Sequence, residues 1–342
     1  MQLQFYKNKR ILVTGHTGFV GSWFTLLLSN LDADIIGFSL NQPSKPSLYN
    51  YLNLNKKITN IKADISNPLP ISKIIKEYKP EIIIHLAAQP ILLDSYKIPH
   101  ATFMTNTVGT LNLLEAERKY GNARTILCIT TDKVYENIGI TAYKETDKLG
   151  GFDPYSSSKS CAELIVNSYR SSFLQEIGIA TARAGNIIGG GDWGRYRIIP
   201  DLVSNKKVII RYPNATRPWT YILDVLDGYI TLIEALHKNP KTYSEAWNFS
   251  SNSNKTVIEL VKEVKKYRNI NYEIKKGKSH EEKSLLLNSL KSKKRLGWKA
   301  KYSFEETIRN TVSWYNNFDT AKTKVDIYEL TLKQLQDYFQ MN

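Results

Sequence analysis

Two cysteines stand in 342 residues, Cys128 and Cys161, both inside apolar segments and without metal-ligand spacing. That scarcity excludes a disulfide framework and a thiolate metal centre, and the pair reads as reduced packing residues. No apolar run approaches the roughly 18 to 20 residues that a membrane-spanning helix requires. Residues Met1 to Arg10 are polar and lead straight into a strand with no signal-peptide core, so the expectation is a cytoplasmic protein with no membrane partner. Internal repeats and low-complexity segments are also missing.

Negative charge is in deficit, with 32 Asp and Glu against 47 Lys and Arg and a net +15 at pH 7. Basic surfaces attract phosphate. Here, however, the lysines are spread along the chain, with modest clusters only near Lys262 to Arg268 and Lys291 to Arg295. No helix-turn-helix, zinc-ligand set or aromatic-basic RNA motif accompanies them, so no nucleic-acid partner is expected.

What is present is an ordinary globular composition, 42% hydrophobic and 23% charged, long enough for one large domain and a smaller one. Short apolar runs at Arg10 to Thr14, Asp34 to Ser39, Ile58 to Ala63, Glu81 to Leu86, Thr125 to Ile129 and Gly178 to Ala182 read as strands. Helical patterns separate them at Val20 to Leu31, Ile71 to Tyr78, Pro99 to Tyr120 and Pro154 to Leu174. Such alternation predicts α/β architecture, a doubly wound parallel sheet of Rossmann type with helices on both faces. Regularity fades from Gly185 onward, apart from helical segments at Asp224 to His237 and Val257 to Tyr267. The expected organisation is a dinucleotide-binding domain over 1–185 with a return segment near 220–240. A smaller, discontinuous α/β substrate domain takes 186–219 and 241–320, and 321–342 forms a tail, read as a docked helix.

The run Gly15-His16-Thr17-Gly18-Phe19-Val20-Gly21 follows the first strand and opens a helix. Glycines there serve a tight turn, close approach of backbone to a pyrophosphate, and close packing of helix on strand, with phosphate at the helix N-terminus. The acidic residue expected at the end of the second strand is missing; Ser39 and Asn41 offer neutral partners for a ribose hydroxyl, and no arginine stands ready for a 2′-phosphate. NAD is therefore favoured over NADP. Asp64, followed by Ile65, is placed for the adenine amino group or as a helix cap. Leu86-Ala87-Ala88-Gln89 ends the fourth strand with small residues beside the cofactor, and Asn106 supports this region, as a cofactor-site residue or by bridging backbone groups.

Tyr155 precedes Lys159 by four residues, so both share one face of a helix. A lysine there can lower the phenol pKa and make phenolate accessible nearer neutral pH, as removal of an alcohol proton requires. A lone pair of this kind also describes a solvated helix face; the glycine turn some 140 residues upstream tips the balance toward redox chemistry. Thr131-Asp132-Lys133, at the end of the fifth strand, supplies further polar groups.

These motifs, with Asn106-Thr107-Val108-Gly109-Thr110, resemble the extended short-chain dehydrogenase/reductase family. Within it the chain looks like the CDP-glucose 4,6-dehydratases, through Gly37-Phe38-Ser39-Leu40, Pro46-Ser47-Leu48, Gly150 to Tyr155, Arg183-Ala184-Gly185-Asn186, Gly189-Gly190-Gly191-Asp192-Trp193 and Arg217-Pro218-Trp219. The resemblance implies an internal redox cycle on a nucleotide sugar. Tyr155 and Lys159 form the base, Thr131 binds near the C4 oxygen, and Asp132 is the acid for the departing C6 hydroxyl. Lys133 belongs to the site as a neutral base, a cofactor anchor or a stabiliser of enolate charge. Gln89, Asn186, Arg183, Arg195, Arg211 and Arg217 are assigned to substrate, Arg217 most strongly, while Arg195 and Arg197 suit cleft or surface equally. Family likeness further implies a homo-oligomer, dimer or tetramer, through the helices at Pro99 to Tyr120 and Pro154 to Leu174.

Three departures stand out: Val20 replaces a lysine common in the turn, Leu92-Leu93-Asp94 replaces an arginine before Ser95-Tyr96, and Glu136 to Tyr143 lacks a tryptophan-containing insertion. They leave open a 4,6-dehydratase of GDP-heptose, GDP-mannose or dTDP-glucose, a nucleotide-sugar 4-epimerase, or a non-catalytic cofactor-sensing protein.

Overall fold

The first strand, Arg10-Ile-Leu-Val-Thr14, is buried beyond its first residue, which is how a strand covered by helices on both faces must read. In the computed structural model, which describes residues 3–136, 142–204, 207–251, 253–275 and 284–341, it is the inner strand β1. Around it run β2 (Asp34–Ser39), β3 (Thr59–Lys62), β4 (Ile82–His85), β5 (Thr125–Ile129), β6 (Gly178–Arg183) and β7 (Ala246–Asn248). All pairings in the sheet are parallel, in the order β7-β6-β5-β4-β1-β2-β3. Chain direction across the sheet reverses between β1 and β4, and the crevice at their carboxyl ends is where such sheets take ligands.

Helices α1 (Phe19–Ser29), α2 (Pro68–Tyr78), α3 (Gly109–Tyr120), α4 (Pro154–Ser172) and α5 (Ile222–Lys238) cover the sheet. One buried cluster joins α1, α5 and the later helices to one face through Trp23, Leu26, Ile82, Leu127, Tyr229 and Trp247. Another joins α2, α3 and α4 to the other face through Leu12, Ile75, Ile83, Leu113 and Val166. The helix starts have local causes. Asn67 accepts from the Leu69 backbone with Pro68 at the first helical position, and Asp153 accepts from the Ser156 backbone with Pro154 likewise placed. The expected helix at Pro99 to Tyr120 consists of Pro99–Phe103, a π turn at Met104–Val108 and α3.

Strand β7 lies within 241–320, the span expected for the second domain, yet it forms the edge of the large sheet. Three residues with one tryptophan carry too little periodicity to read as a strand; pairing with β6 makes them one. Beyond β6, Ile187–Ile188 pairs with Thr220–Tyr221, Thr216–Pro218 with Asn254–Thr256, and Val208–Ile210 with Tyr272–Ile274. Helices α6 (Val257–Lys265), α7 (Phe304–Thr320) and α8 (Lys324–Phe339) each begin with a capping box. α8, in the tail, docks through Ile327 and Leu335, both buried, and through Tyr338, whose hydroxyl donates to Asp224 Oδ1 at 2.5 Å. Most of the segment between Glu136 and Tyr143 lies outside the described residues.

Candidate active site

A cavity of about 1180 Å³ runs along the carboxyl ends of the strands. Its floor is the glycine turn. Gly15 has φ +76°, and a Cβ on it would sit 2.6 Å from Ala87 N, so the turn and the loop after β4 touch backbone to backbone. Gly18 caps α1 without a side chain, leaving the helix N-terminus open to the cavity. Thr17, Gly18, Phe19, Val20, Gly21, Ser39, Asp64, Ile65, Leu86, Ala87, Ala88 and Gln89 complete this half of the wall. The residues suit a dinucleotide: a cradle that a Cβ would fill, free helix N–H groups, and small residues opposite.

Two cofactor assignments change. His16 is fully buried and faces away from the cavity; its Nε2 meets Asn60 Oδ1 at 2.8 Å and its ring stands edge-on to Tyr49. Asn106 also lies behind the wall, where Oδ1 accepts from Gln89 N at 2.8 Å and Nδ2 donates to Ser158 Oγ at 2.9 Å. It ties the β4 loop to α4 without reaching the cavity, as the backbone-bridging alternative has it. Asp64 lines the cavity and accepts from Ser66 N at 2.8 Å, while the cap of α2 is Asn67. Gln89 is committed at both ends of its side chain, donating to Thr102 Oγ1 and accepting from Ile91 N.

Thr131, Asp132, Lys133, Tyr155 and Lys159 meet on the opposite wall. Thr131 Oγ1 donates to Asp132 Oδ1 at 2.9 Å, and Tyr155 lines the same wall. Asp132 is 3% exposed, and Asn186 Nδ2 lies 3.5 Å from its Oδ2. Lys159 Nζ donates to Ile129 O at 2.8 Å, and burial pulls its pKa down to about 8. Tyr155 differs from the sequence expectation. Burial pushes the phenol up to about 12, Thr131 and Arg197 pull it back, and Asp132 and Asp153 add to the rise. Desolvation outweighs every neighbour here, so this chain alone does not hold Tyr155 near neutral ionisation.

The arginines sort differently from their sequence assignment. Arg183 is 3% exposed and outside the cavity: Nε and Nη2 donate to Glu163 at 2.8 and 2.9 Å, and Nη1 to Tyr135 Oη at 2.8 Å. It is a core ion pair between β6 and α4. Arg195 is exposed and pairs across the cleft mouth with Asp94 at 2.9 Å. Asp94 belongs to the departing Leu92-Leu93-Asp94 segment, whose two leucines line the cavity. Arg211 and buried Arg217 line the cavity as expected, together with Asn186.

The residue that sequence reasoning left undecided is Arg197. It lines the cavity beside Asp192, which it pairs at 2.8 Å. Its sequence signal was only its place four residues after Asp192-Trp193, and nothing local distinguishes it from Arg195.

Residues 12–311 match the family described as GDP-mannose 4,6 dehydratase. The CDP-glucose 4,6-dehydratase of Salmonella typhimurium is 37% identical, over 98% of this chain and 97% of that protein. The dTDP-glucose 4,6-dehydratase of Bacillus anthracis, solved in complex with NAD, superimposes with a TM-score of 0.77 at 26% identity, over 91% of this chain and 98% of that one. The UDP-glucose 4-epimerase of Thermotoga maritima, solved with UDP-glucose, reaches 0.79 at 24% identity over 91% and 99% of the two chains, a likeness of fold alone. With a glycine-turn cleft facing Thr131, Asp132 and Tyr155, and a family match over most of its length, this chain belongs to the GDP-mannose 4,6-dehydratase family, within the extended short-chain dehydrogenases/reductases.

Proposed function

We propose that the protein is an NAD-dependent 4,6-dehydratase that converts CDP-glucose to the 4-keto-6-deoxy product. One observation carries the reading: Thr131, Asp132 and Tyr155 share the cleft wall opposite the glycine turn, with Thr131 hydrogen-bonded to Asp132. A base for the C4 hydroxyl and an acid for the C6 hydroxyl thereby face one substrate. The Salmonella relative, which covers nearly the whole chain, supports CDP-glucose as that substrate.

NAD, when bound along the glycine turn, supplies the acceptor for hydride from C4 and its return to C6. NAD rather than NADP is favoured by neutral Ser39 and Asn41 at the end of β2, both on the cavity wall. Tyr155 takes the C4 hydroxyl proton, with Thr131 steering that oxygen. The resulting 4-ketone acidifies C5–H. Loss of that proton and of the C6 hydroxyl, protonated by Asp132, eliminates one water. Lys133, at the same strand end, holds the enolate charge or, when neutral, takes the C5 proton. Asn186, Arg211 and Arg217 hold the diphosphate.

The glycine-turn unit comprises 1–185, β7 and the α5 return segment, and the substrate unit is built mainly from 186–219 and 249–320. We further propose a homo-oligomer joined through Pro99–Tyr120 and α4, where Phe103, Leu111, Leu164 and Phe173 are exposed apolar side chains.

The test is incubation with NAD and, separately, CDP-glucose, dTDP-glucose, UDP-glucose, GDP-mannose and GDP-heptose, followed by mass. Loss of one water from CDP-glucose alone supports the proposal. The same loss from another donor moves specificity to the cleft around Leu93, and an isomer of unchanged mass replaces the reading with a 4-epimerase.

A further inference from the structure

Helix α4 carries more than Tyr155 and Lys159. Glu163 follows Lys159 by four residues on the same face and is 4% exposed. Its carboxylate accepts four hydrogen bonds inside the protein, the full complement of its two oxygens. Thr130 Oγ1 donates to Oε1 at 2.5 Å, within the range of a hydroxyl on an ionised carboxylate. Thr181 Oγ1 donates to Oε2 at 2.7 Å. Arg183 completes the set, from Nε to Oε1 at 2.8 Å and from Nη2 to Oε2 at 2.9 Å. Burial alone would raise this carboxyl, yet the Arg183 guanidinium and the two hydroxyls hold it below its ordinary value.

The four donors come from two neighbouring strand ends, and Asp132 lies between them. Thr130 directly follows β5, and its N–H still pairs with β6 by donating to Ala182 O at 2.9 Å. Thr131-Asp132-Lys133 begins at the next residue. The far end of that turn is tied to α4 as well, since Ser160 Oγ donates to Val134 O at 2.9 Å. On the other side Thr181 and Arg183 belong to β6. Gly185, two residues on, packs so closely on the Asp132 carboxyl that a Cβ there would fall 1.8 Å from Oδ2. Both chain segments that confine Asp132 are thus fastened to one carboxylate, on the helix that presents Tyr155 to the cleft.

We propose that Glu163 is a positioning residue for the dehydration: by holding Thr130 and Arg183 to α4 it fixes the place of the Asp132 carboxyl relative to Tyr155. The proposal rests on the reading of Asp132 as the acid for the C6 hydroxyl. Glu163 stands behind the cavity wall and moves no proton. In the elimination the C5 proton leaves, the C6–O bond breaks, and Asp132 gives that oxygen the proton that makes it water. Glu163 sets how well Asp132 is aimed. C4 oxidation draws on Tyr155 and is spared.

The experiment uses the full chain with NAD and CDP-glucose, and the variants T130V, T130S and E163Q. Valine at 130 keeps the shape and removes one donor, leaving Glu163 its bonds from Thr181 and Arg183. In T130V turnover is expected to fall about 10- to 100-fold, the cost of a misplaced group, while KM, the Kd for NAD and cooperative melting hold. Rapid-quench mass analysis then finds uneliminated 4-keto hexose building up, and the crystal structure of T130V shows the Asp132 carboxyl displaced. T130S keeps the hydroxyl and returns the wild-type partition between uneliminated and dehydrated sugar. E163Q, which also unpairs Arg183, gives the T130V partition more strongly; should it fail to fold, T130V decides. Equal slowing of C4 oxidation and elimination in T130V, or a wild-type partition with Asp132 in place, makes Glu163 a core contact only and overturns the proposal. A displaced Asp132 with a wild-type partition defeats the acid reading separately, because the crystal structure reports on the anchor by itself.

Discussion

In the proposed reaction Asp132, 3% exposed and accepting from Thr131, would also hold a proton for the C6 oxygen. Replacement by Asn keeps the shape and removes the acid. D132N is expected to lower turnover about 10²–10⁴-fold, the range for a lost general acid, with C4 oxidation less affected; rapid-quench mass analysis should then reveal an unreduced 4-keto hexose of unchanged carbon skeleton. At the same scale, Arg183 and Glu163 form a pair whose side chains are each 4% exposed. Removing one partner strands a buried charge, so R183Q is expected to cost about 3–5 kcal/mol in denaturant unfolding. The location of these two arginine roles was not legible in sequence. Arg183, which opens Arg183-Ala184-Gly185-Asn186, reads as a substrate residue and Arg197 as cleft or surface equally, but an arginine's place is chosen by what the fold sets beside it. Only tertiary packing sets Glu163 against Arg183 in the core and brings Arg197, paired with nearby Asp192, onto the cavity wall.

Among the elements, the two C-terminal helices do the most for the site without lining it. α7 offers Trp314 and Tyr315 to the 189–193 segment, and α8 is tied to α5 through Tyr338 and Asp224. Gly190→Ala would drive a methyl into Trp314 and is expected to cost about 1–3 kcal/mol by overpacking, with a larger loss of turnover than of NAD binding, measured side by side. Asp224 is fully buried, and burial pushes its carboxyl up to about 6 from 3.8, against the pull of the Tyr338 bond. A carboxyl raised in the fold binds its proton more tightly there than in the unfolded chain. Its contribution is therefore whole below pH 3.8 and lost as pH rises through about 6. In D224N, melting temperature should no longer fall with this component between pH 4 and 7; an unchanged slope would assign the dependence to other carboxyls. The capping boxes that start α6, α7 and α8 are local sequence patterns. What the helices rest on is not.

The whole molecule couples a dinucleotide half to a second wall that closes the same cavity. Ligand that binds only the folded chain adds stability by mass action, so NAD at a hundredfold its Kd is expected to add about 2.7 kcal/mol, visible as a rise in melting temperature. NADP should add less if neutral Ser39 and Asn41 face the ribose; an equal rise would show that the end of β2 does not discriminate. The sequence by itself determined the parallel sheet, the glycine turn and the helical Tyr155–Lys159 pair, because continuous apolar runs, glycine spacing and an i to i+4 pair are set by neighbours along the chain. Tertiary structure alone decided that three residues at 246–248 form β7, that His16 and Asn106 stand behind the wall, and that Arg197 rather than Arg183 faces the cleft. Those outcomes depend on how the fold brings elements together, and no local pattern encodes the burial and charge that result.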